Sequence, residues 1–444
     1  SRPLKKLTAL RNSPLCAKCL WEIRKSMCDL GLVFDSGVPL RYPDKLQGLD
    51  EGSAANITLQ RNECINAIAD AQGTIDWLSR IDSLTKYAES LLGILQGCEG
   101  REPSGVAVDL VITVINAASY YQEISLDTME RAYGTPMATP MWSTSGKHLR
   151  KGLGLLQFVM SPSSCGAVDC IPTEARAKFF KLINEMVLEF QFLQQIGVVV
   201  LSLSKLRARV YRDQRDAILD FQESDLNELS NNSLLYARLV IGCFDTALKR
   251  ENDTGSIINK PVLSYLNGLI FLLLSLDQYS KDECGVAVGM IDLTISYLQR
   301  IVPQAQLSES VISEKRKKRD ILKSAFQRSK YKSSTATTIN TNSFKVWSKK
   351  SKKNQLLPLL KETLDDFLVH LTILLRYRYI QTNEKLTFKP VERKESVLRK
   401  KFPRGTSPAL QGSEWIFDPS SLSFQELATA PNSGTVKDSN SDSN

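Results

Sequence analysis

Residues 172–193 read PTEARAKFFKLINEMVLEFQFL, and stretches of this kind decide the fold. Apolar residues recur in it at steps of three and four, which places them on one face of an α-helix. They are Phe179, Leu182, Ile183, Met186, Phe190 and Leu193. Pro172 and Thr173, followed by an acidic residue, are typical of a helix start. The stretch therefore predicts a long amphipathic helix.

The same helical period recurs along most of the chain, with further apolar stripes around Leu84, Leu235 and Ile291. Strand-like alternation is nearly absent, so we expect nine or ten helices between residues 8 and 382. Short gaps favour antiparallel neighbours in an irregular array of helical hairpins, without the 34-residue period of a regular tetratricopeptide array. The gaps rich in Gly, Pro, Ser and Asp are residues 35–53, 97–105, 134–146, 161–172 and 251–261.

Composition excludes several kinds of chemistry. The chain has 444 residues, of which 42% are hydrophobic and 24% charged, the balance of a globular protein. Two histidines, His148 and His370, cannot form a three-histidine metal site. Nine irregularly spaced cysteines favour a reduced, cytosolic setting. The pair Cys16 and Cys19, with only Cys28 nearby, is a weak zinc half-site. We therefore predict no metal and no cofactor.

The sequence carries no recognisable catalytic motif. Gly146-Lys147 lacks the upstream glycine and the following Ser or Thr of a phosphate-binding loop. Hydrolase, metalloprotease and kinase signatures are missing. The acidic cluster Glu362, Asp365 and Asp366 is interpreted as a solvated helix face, and His370 as a core or boundary residue. We predict no catalytic residues and a non-enzymatic function; an enzyme without these motifs is a weaker alternative.

Membrane spans are not expected. The longest apolar stretch, residues 266–276, is about half of the ~20 residues that a spanning helix needs, and it is interpreted as a buried core helix. The basic N-terminal residues are not followed by the apolar region of a secretory signal. Any membrane contact should therefore be peripheral.

One segment makes the chain basic. Residues 315–361 hold fifteen Lys or Arg and one acid, a net charge of +14 within a chain of +9, so the remainder sums to 9 − 14 = −5. The predicted basic surface consists of Lys315, Arg316, Lys317, Lys318, Arg319, Lys349, Lys350, Lys352 and Lys353. It could contact nucleic acid, anionic lipid or an acidic partner, act as a nuclear localisation signal, or be a solvated helix face and flexible loop. Nucleic acid is disfavoured, because the few aromatic residues nearby form no stacking platform.

Five segments, taken in order, resemble the Bro domain of Alix-type adaptors and of the fungal pH-response regulator PalC, with PalC closest. The match extends over roughly residues 55–410 and is supported by the order of the segments. The segments are Val106–Glu123 (VAVDLVITVINAASYYQE), Lys147–Val159 (KHLRKGLGLLQFV), Pro172–Ser204, Val262–Leu298, and Asn383–Val391 (NEKLTFKPV) followed by Lys400–Gly405 (KKFPRG).

The resemblance implies an all-α, elongated, boomerang-shaped array of helical hairpins with an extended C-terminal segment. We expect an N-terminal extension at 1–54, a Bro-like helical domain at 55–410 that includes the basic segment, and a mostly disordered tail at 411–444. The first fifty residues differ from the usual opening of Alix. The Pro-rich and V-shaped regions of Alix are absent, which favours a short PalC-like protein.

The function implied by the resemblance is that of an adaptor. Bro domains bind the C-terminal amphipathic helix of an ESCRT-III subunit in a hydrophobic groove. PalC-type proteins connect ESCRT assemblies on endosomal or cortical membrane to alkaline-pH signalling. They promote proteolytic activation of a zinc-finger transcription factor by a calpain-like protease. The expected localisation is therefore cytoplasmic, with peripheral recruitment to the endosome or cell cortex.

By position along the long helix, the resemblance places the groove near Phe192, Leu206 and Val210, with Gln195 where relatives often carry a Lys. The alternative for these residues is ordinary core packing, which is favoured for Phe192. The alternative function is a peripheral membrane-binding or nucleic-acid-binding protein that acts through the basic segment 315–353.

Overall fold

The structure is a computed structural model of the chain. It describes residues 40, 42, 43, 46, 51–69, 76–97, 104–135, 138–161, 167, 169–171, 173–210, 223–254, 260–302, 307, 356–407 and 411–415. Nine helices lie in the first part of these ranges: α1 (Glu51–Ala69), α2 (Trp77–Gly97), α3 (Ser104–Tyr133), α4 (Thr139–Val159), α5 (Thr173–Val210), α6 (Glu223–Ser230), α7 (Ser233–Thr254), α8 (Lys260–Ser280) and α9 (Cys284–Leu298).

The last long helix contains two π-helical turns, one inside it and one at its C-terminal end. It consists of α10 (Pro358–Thr363), a π-turn (Leu364–Leu368), α11 (Val369–Thr382) and a second π-turn (Asn383–Thr387). A short helix, α12 (Glu395–Arg399), follows within otherwise extended chain. Within the described residues every regular element is helical, which confirms the predicted all-α class.

Two helix ends differ from the sequence prediction. Helix α4 begins at Thr139, inside the predicted gap 134–146, because Pro140 occupies its first turn, where a missing N–H removes no helical hydrogen bond. The last helix was expected to end at Thr382 but continues as the π-turn to Thr387. The pattern after Thr382 is not periodic because these residues face solvent on most sides.

Three helices are long and apolar enough to cross a membrane, which the sequence analysis did not anticipate. By length and composition alone they are residues 104–133, 175–210 and 260–280. Within each most apolar window, 72%, 72% and 89% of the residues are buried inside the protein. A helix that is apolar on several faces is typical of a buried position, and neighbouring helices cover these three.

The polar face of α3 holds the chain that precedes α1. The backbone N–H of Leu40 donates to Asn116 Oδ1 at 2.6 Å, and Asn116 Nδ2 donates to the Leu40 carbonyl at 2.9 Å. The Tyr42 hydroxyl lies 2.9 Å from Thr113 Oγ1. All four residues are buried. The described part of the predicted extension 1–54 therefore packs on the helical domain; the boundary at residue 54 stays a prediction.

A buried ion pair joins α1, α2 and α3. The Asp109 carboxylate is fully buried and accepts hydrogen bonds from Arg61 Nε at 2.7 Å and from the Tyr87 hydroxyl at 2.8 Å. Arg61 also donates to the carbonyl of Pro43. Burial raises the pKa of Asp109, although Arg61 and Tyr87 act against it. Desolvation has the larger effect on the pKa, so the buried Asp109 charge needs the hydrogen bonds from Arg61 and Tyr87 to stabilise it.

Removing Asp109 should destabilise the fold strongly. We expect Asp109→Ala to lower the free energy of unfolding by about 3 kcal/mol or more, because the Arg61 charge is left buried. The matched control is Asp82→Ala, since Asp82 pairs with Lys86 at 2.7 Å on the exposed surface. Such pairs contribute at most about 1 kcal/mol. Urea denaturation that gives similar small losses for both variants would contradict the assigned role.

The C-terminal strap, defined as residues 388–407 and 411–415, crosses the helical layer. Its carbonyl oxygens lie against helix glycines: a β-carbon at Gly285 or Gly289 of α9 would overlap those of Pro390 and Glu392. The same holds for Gly242 of α7 against Thr406 and for Gly154 of α4 against Ser413. Close backbone approach is possible there because glycine has no side chain.

The contacts at Gly242 and Gly154 each include an equivalent hydrogen bond from the strap backbone to the helix backbone. The Thr406 N–H donates to the carbonyl of Arg238 at 2.9 Å, and the Ser413 N–H donates to that of Arg150 at 2.8 Å. Each acceptor lies four residues before the contacting glycine. Ring contacts complete the docking, with Phe402 on Phe271 at 5.0 Å and Trp415 on Phe158 at 4.6 Å between ring centroids.

A methyl group at Gly154 should release the end of the strap. In Gly154→Ala we expect faster proteolysis near residues 411–415, because the β-carbon and the Ser413 carbonyl cannot occupy the same space. Gly146→Ala is the matched control in the same helix, since nothing lies within 4 Å of its β-carbon position. That control should be neutral or slightly stabilising, as is usual for glycine to alanine in a helix. Equal cleavage rates in both variants would show that the contact does not hold the strap.

Candidate functional site

The four residues predicted to bind a partner all lie on α5 and are buried. Phe192, Gln195, Leu206 and Val210 are 4%, 6%, 0% and 7% exposed. Phe192, Leu206 and Val210 belong to the hydrophobic core. Phe192 and Leu206 are separated by about 20 Å along the helix, so the four side chains form no single patch. Partner binding by these residues stays a prediction, and it would require neighbouring elements to move.

The interior of α5 contains polar side chains that the apolar period does not predict. Glu185, Glu189, Gln194 and Gln195 are all nearly inaccessible to solvent. Gln122 on α3 donates to Glu189 Oε1 at 2.9 Å. Both carboxylate oxygens of Glu185 and both amide atoms of Gln194 lack hydrogen-bond partners. Buried polar groups of this kind reduce stability.

Other predicted features are placed differently. Asp366 is half-buried and pairs with Arg207 of α5, so the acidic cluster is only partly a solvated face; Asp365 and Glu362 are exposed. His148 stacks on Tyr121 with ring centroids 5.9 Å apart. Within the described ranges no group of three His, Cys, Asp or Glu could hold a metal. The half-site around Cys16 and the basic surface 315–353 lie outside the described residues.

Glu123 on α3 should make stability depend on pH. Burial, with Glu189 and Asp127 nearby, raises its pKa to about 7. An unfolded Glu titrates near pH 4.3, so ionisation destabilises the fold increasingly between about pH 4.3 and 7 and fully above that. We expect Glu123→Gln to stabilise the protein above pH 7 by up to about 3 kcal/mol and to have little effect near pH 4.

Thermal denaturation of wild type and Glu123→Gln across that pH range tests this. The exposed carboxylate of Asp82 provides the control, and Asp82→Asn should show no gain at high pH. A stabilisation by Glu123→Gln that is the same at pH 4 and pH 8 would show that ionisation of Glu123 is not the cause.

The best candidate for a binding site is an open cleft of about 520 Å³ between α7, the start of α8 and the end of α9. Its volume lies in the range of ligand pockets in general. The lining side chains are Phe244, Lys260, Pro261, Leu263, Ser264, Asn267, Tyr297 and Arg300. Phe244 and Leu263 are half-buried, so the cleft presents apolar surface to an incoming ligand.

Both charged residues that line the cleft are cations. Lys260 and Arg300 are exposed at its rim, and the Arg300 guanidinium lies 4.6 Å from the centroid of the Tyr297 ring. Among the lining residues in the described part of the chain, none is acidic. Apolar walls with a cationic rim favour a ligand that is both apolar and acidic.

The strap holds two of the side chains that line the cleft. Arg399 Nη2 donates to Asn267 Oδ1 at 2.9 Å and to the Tyr297 hydroxyl at 3.0 Å, while its Nε donates to Glu395 at 2.7 Å. The Tyr297 hydroxyl donates to Glu395 at 2.6 Å. Burial opposes ionisation of Glu395, but these hydrogen bonds outweigh it and lower its pKa. The network holds Asn267 and Tyr297 in fixed positions.

Sequence reasoning missed this cleft. The segment 262–298 was recognised only as a helical hairpin, and the one local signal was Lys260-Pro261 before an apolar run. The cleft also depends on Glu395 and Arg399, which lie about a hundred residues further along the chain.

The chain is similar to a yeast protein and, more distantly, to a solved structure. It is 37% identical over 398 residues to the "Uncharacterized protein YGR122W" of Saccharomyces cerevisiae, covering 88% of this chain and 96% of that protein. A solved structure named "Structure basis for endosomal targeting by the Bro1 domain" is 13% identical, with a TM-score of 0.40 over 86% of this chain and 87% of the other. That structural likeness is too distant to support an argument.

Residues 104–437 match the family described as "Family of unknown function (DUF5355)". The matched range begins at α3 and includes the cleft and the whole described strap. The match extends over well more than half of the chain, and the yeast relative matches along nearly its full length. The chain therefore belongs to the DUF5355 family.

Proposed function

We propose that this protein is a non-enzymatic adaptor that binds the acidic, amphipathic C-terminal helix of an ESCRT-III subunit in the cleft between α7, α8 and α9. The observation that carries the proposal is the lining of the cleft, which combines apolar side chains with two rim cations and, among its described residues, no acid. The class of partner comes from the ordered resemblance of five segments to Bro domains.

Recognition of a helix by a groove fits this lining. An amphipathic helix presents apolar side chains at steps of three and four residues, and these would contact Phe244 and Leu263. Acidic residues on the flank of the helix would approach Lys260 and Arg300, which increases the association rate and fixes orientation. Because Asn267 and Tyr297 are already held by the strap, little ordering would be needed on binding.

The side chains of the cleft favour binding over catalysis. Its polar groups besides the two cations are Ser264, Asn267 and Tyr297. The Tyr297 hydroxyl already donates a hydrogen bond to Glu395, and Asn267 Oδ1 accepts one from Arg399. No described lining residue pairs a nucleophile with a general base, which acyl transfer of the usual kind requires.

The finer part of the proposal concerns signalling. We propose that the protein connects ESCRT assemblies at the endosome or cell cortex to ambient alkaline-pH signalling in fungi. There it would promote activation of a zinc-finger transcription factor by a calpain-like protease. The support is the resemblance of residues 383–391 and 400–405 to the exit segment of the PalC branch. The protein would be cytoplasmic and recruited to membrane peripherally.

Charge reversal at the rim should abolish peptide binding. With labelled C-terminal peptides of ESCRT-III subunits, we expect Lys260→Glu combined with Arg300→Glu to weaken binding at least about tenfold in fluorescence anisotropy, because two attractive contacts become repulsive. Lys86→Glu is the matched control, since Lys86 is an exposed cation on α2, outside the cleft.

The fold of each variant is checked by circular dichroism. Wild-type protein that binds none of the peptides would exclude the adaptor proposal. Binding that is equally strong in the double variant and in Lys86→Glu would exclude the cleft as its site. Leu206→Asp is unsuitable for this purpose because Leu206 is 0% exposed, so the variant would report on folding rather than on binding.

A further inference from the structure

An apolar turn, here named the knuckle and defined as residues 383–389, ends the last long helix after α11. Leu386 and Phe388 are 75% and 73% exposed, more than any other large apolar side chain among the described residues. A single exposed apolar residue is ordinary on a protein surface. Two of this size on alternate residues of one turn form a local feature that needs a physical explanation.

The knuckle is held in a strained conformation that keeps Phe388 outside. Phe388 has φ of 52°, in the left-handed region that residues with a β-carbon rarely adopt. Its N–H donates to the carbonyl of Asn383 at 2.7 Å, which closes the π-turn. Strain of this kind persists only where surrounding contacts enforce it, and it is commonly found at functional sites.

The contacts that enforce the turn come from one buried side chain. Asn383 is 8% exposed; its Oδ1 accepts from the Lys389 N–H at 3.0 Å and from Thr387 Oγ1 at 2.8 Å. Its Nδ2 donates to the Lys389 carbonyl at 2.9 Å. The buried Asn383 side chain therefore fixes the turn, while the two apolar side chains at its tip are not packed into the core. This arrangement presents Leu386 and Phe388 to another surface.

The surroundings of the knuckle are basic. Next to the turn, between residues 383 and 394, the exposed charges are one acid, Glu384, and three cations: Lys385, Arg393 and Lys394. The exposed cations Lys400, Lys401 and Arg404 lie further along the strap, beyond the residues that contact Tyr297. On the neighbouring turn, Lys281 pairs with Asp277 at 2.8 Å and Asp282 is an exposed acid. Half-buried Glu283 pairs with Lys389 at 3.2 Å. Within the strap, Glu395 pairs with Arg399, and Glu392 is half-buried. Apart from the paired Lys281, three exposed cations and two exposed acids therefore lie next to the turn, which gives a net positive charge.

We propose that the knuckle inserts Leu386 and Phe388 into the interface of an anionic lipid bilayer, with Lys385, Arg393 and Lys394 against the headgroups. A projecting tip encloses no ligand, but it can enter a deformable surface. Apolar insertion combined with lysine and arginine is how peripheral proteins bind anionic membranes. The charge around the tip selects anionic lipid over neutral lipid.

The knuckle is separate from the cleft, so this inference goes beyond the proposed function. Lys389 contacts Glu283 just before the start of α9, whereas Tyr297 and Arg300 line the cleft at its other end. Fifteen residues of helix separate these ends by about 22 Å. A protein bound to membrane by the knuckle would therefore keep its cleft open to a partner helix.

Vesicle flotation of the full chain tests the proposal. We expect wild-type protein to bind vesicles of phosphatidylcholine with one third phosphatidylserine and to bind pure phosphatidylcholine much less. Leu386→Ser combined with Phe388→Ser should lower the partition coefficient at least about tenfold, because both inserted side chains are lost. The matched control is Leu59→Ser combined with Leu78→Ser, since both leucines are 58% exposed on other helices.

A second variant reports the position of the tip directly. In Phe388→Trp, brominated lipid in the same anionic vesicles should quench tryptophan emission beyond the quenching seen with wild type. No wild-type binding, an equal loss in the control pair, or no added quenching in Phe388→Trp would each overturn the proposal.

The remaining outcomes separate this proposal from the adaptor function. Loss of vesicle binding with unchanged ESCRT-III peptide binding in the knuckle variant supports a membrane site distinct from the cleft. If the knuckle variant instead loses peptide binding or self-association and keeps vesicle binding, the knuckle is a protein-binding surface and the membrane proposal fails. Lys260→Glu with Arg300→Glu should leave vesicle binding unchanged.

Discussion

Backbone contact between the C-terminal strap and helix glycines is the interaction on which the rest of the described structure depends. Helix surfaces normally keep other backbones at a distance because side chains project from every turn. At Gly154, Gly242, Gly285 and Gly289 this barrier is missing, and strap carbonyls reach the helix backbone. The strap thereby links α9, α8, α7 and α4 across the layer. Arg399 of the strap then holds Asn267 and Tyr297 of the cleft, and Lys389 at its start contacts Glu283 beside the knuckle.

The chain before α1 is held by a different kind of contact. Asn116 forms two hydrogen bonds with the backbone of Leu40, as a neighbouring strand would, but from a side chain on α3. The Arg61–Asp109 pair adds a Coulomb attraction that is stronger than on the surface, because the buried site has a lower dielectric constant than water. Both contacts give specificity at the cost of desolvation, which apolar packing alone would avoid.

The two proposed surfaces lie at opposite ends of one helix, α9. Helix α9 contacts the knuckle near its start and contributes Tyr297 to the cleft at its end. Asn383 of the second π-turn fixes the knuckle, and Arg399 of the strap holds Tyr297 of the cleft. A protein built this way could hold an acidic helix while a separate tip contacts lipid, which is the arrangement expected of an adaptor at a membrane.

The sequence by itself determined the helical class and most helix positions, because the 3.6-residue period of apolar side chains is a local property. It also identified 262–298 as a hairpin and the change of pattern after Thr382. Only the tertiary structure decided which apolar residues are covered. Leu206 and Phe388 are equally apolar in the sequence, yet one is 0% and the other 73% exposed. The reason is that burial depends on which elements pack together, and those elements, such as Arg399 on Asn267, are separated by more than a hundred residues.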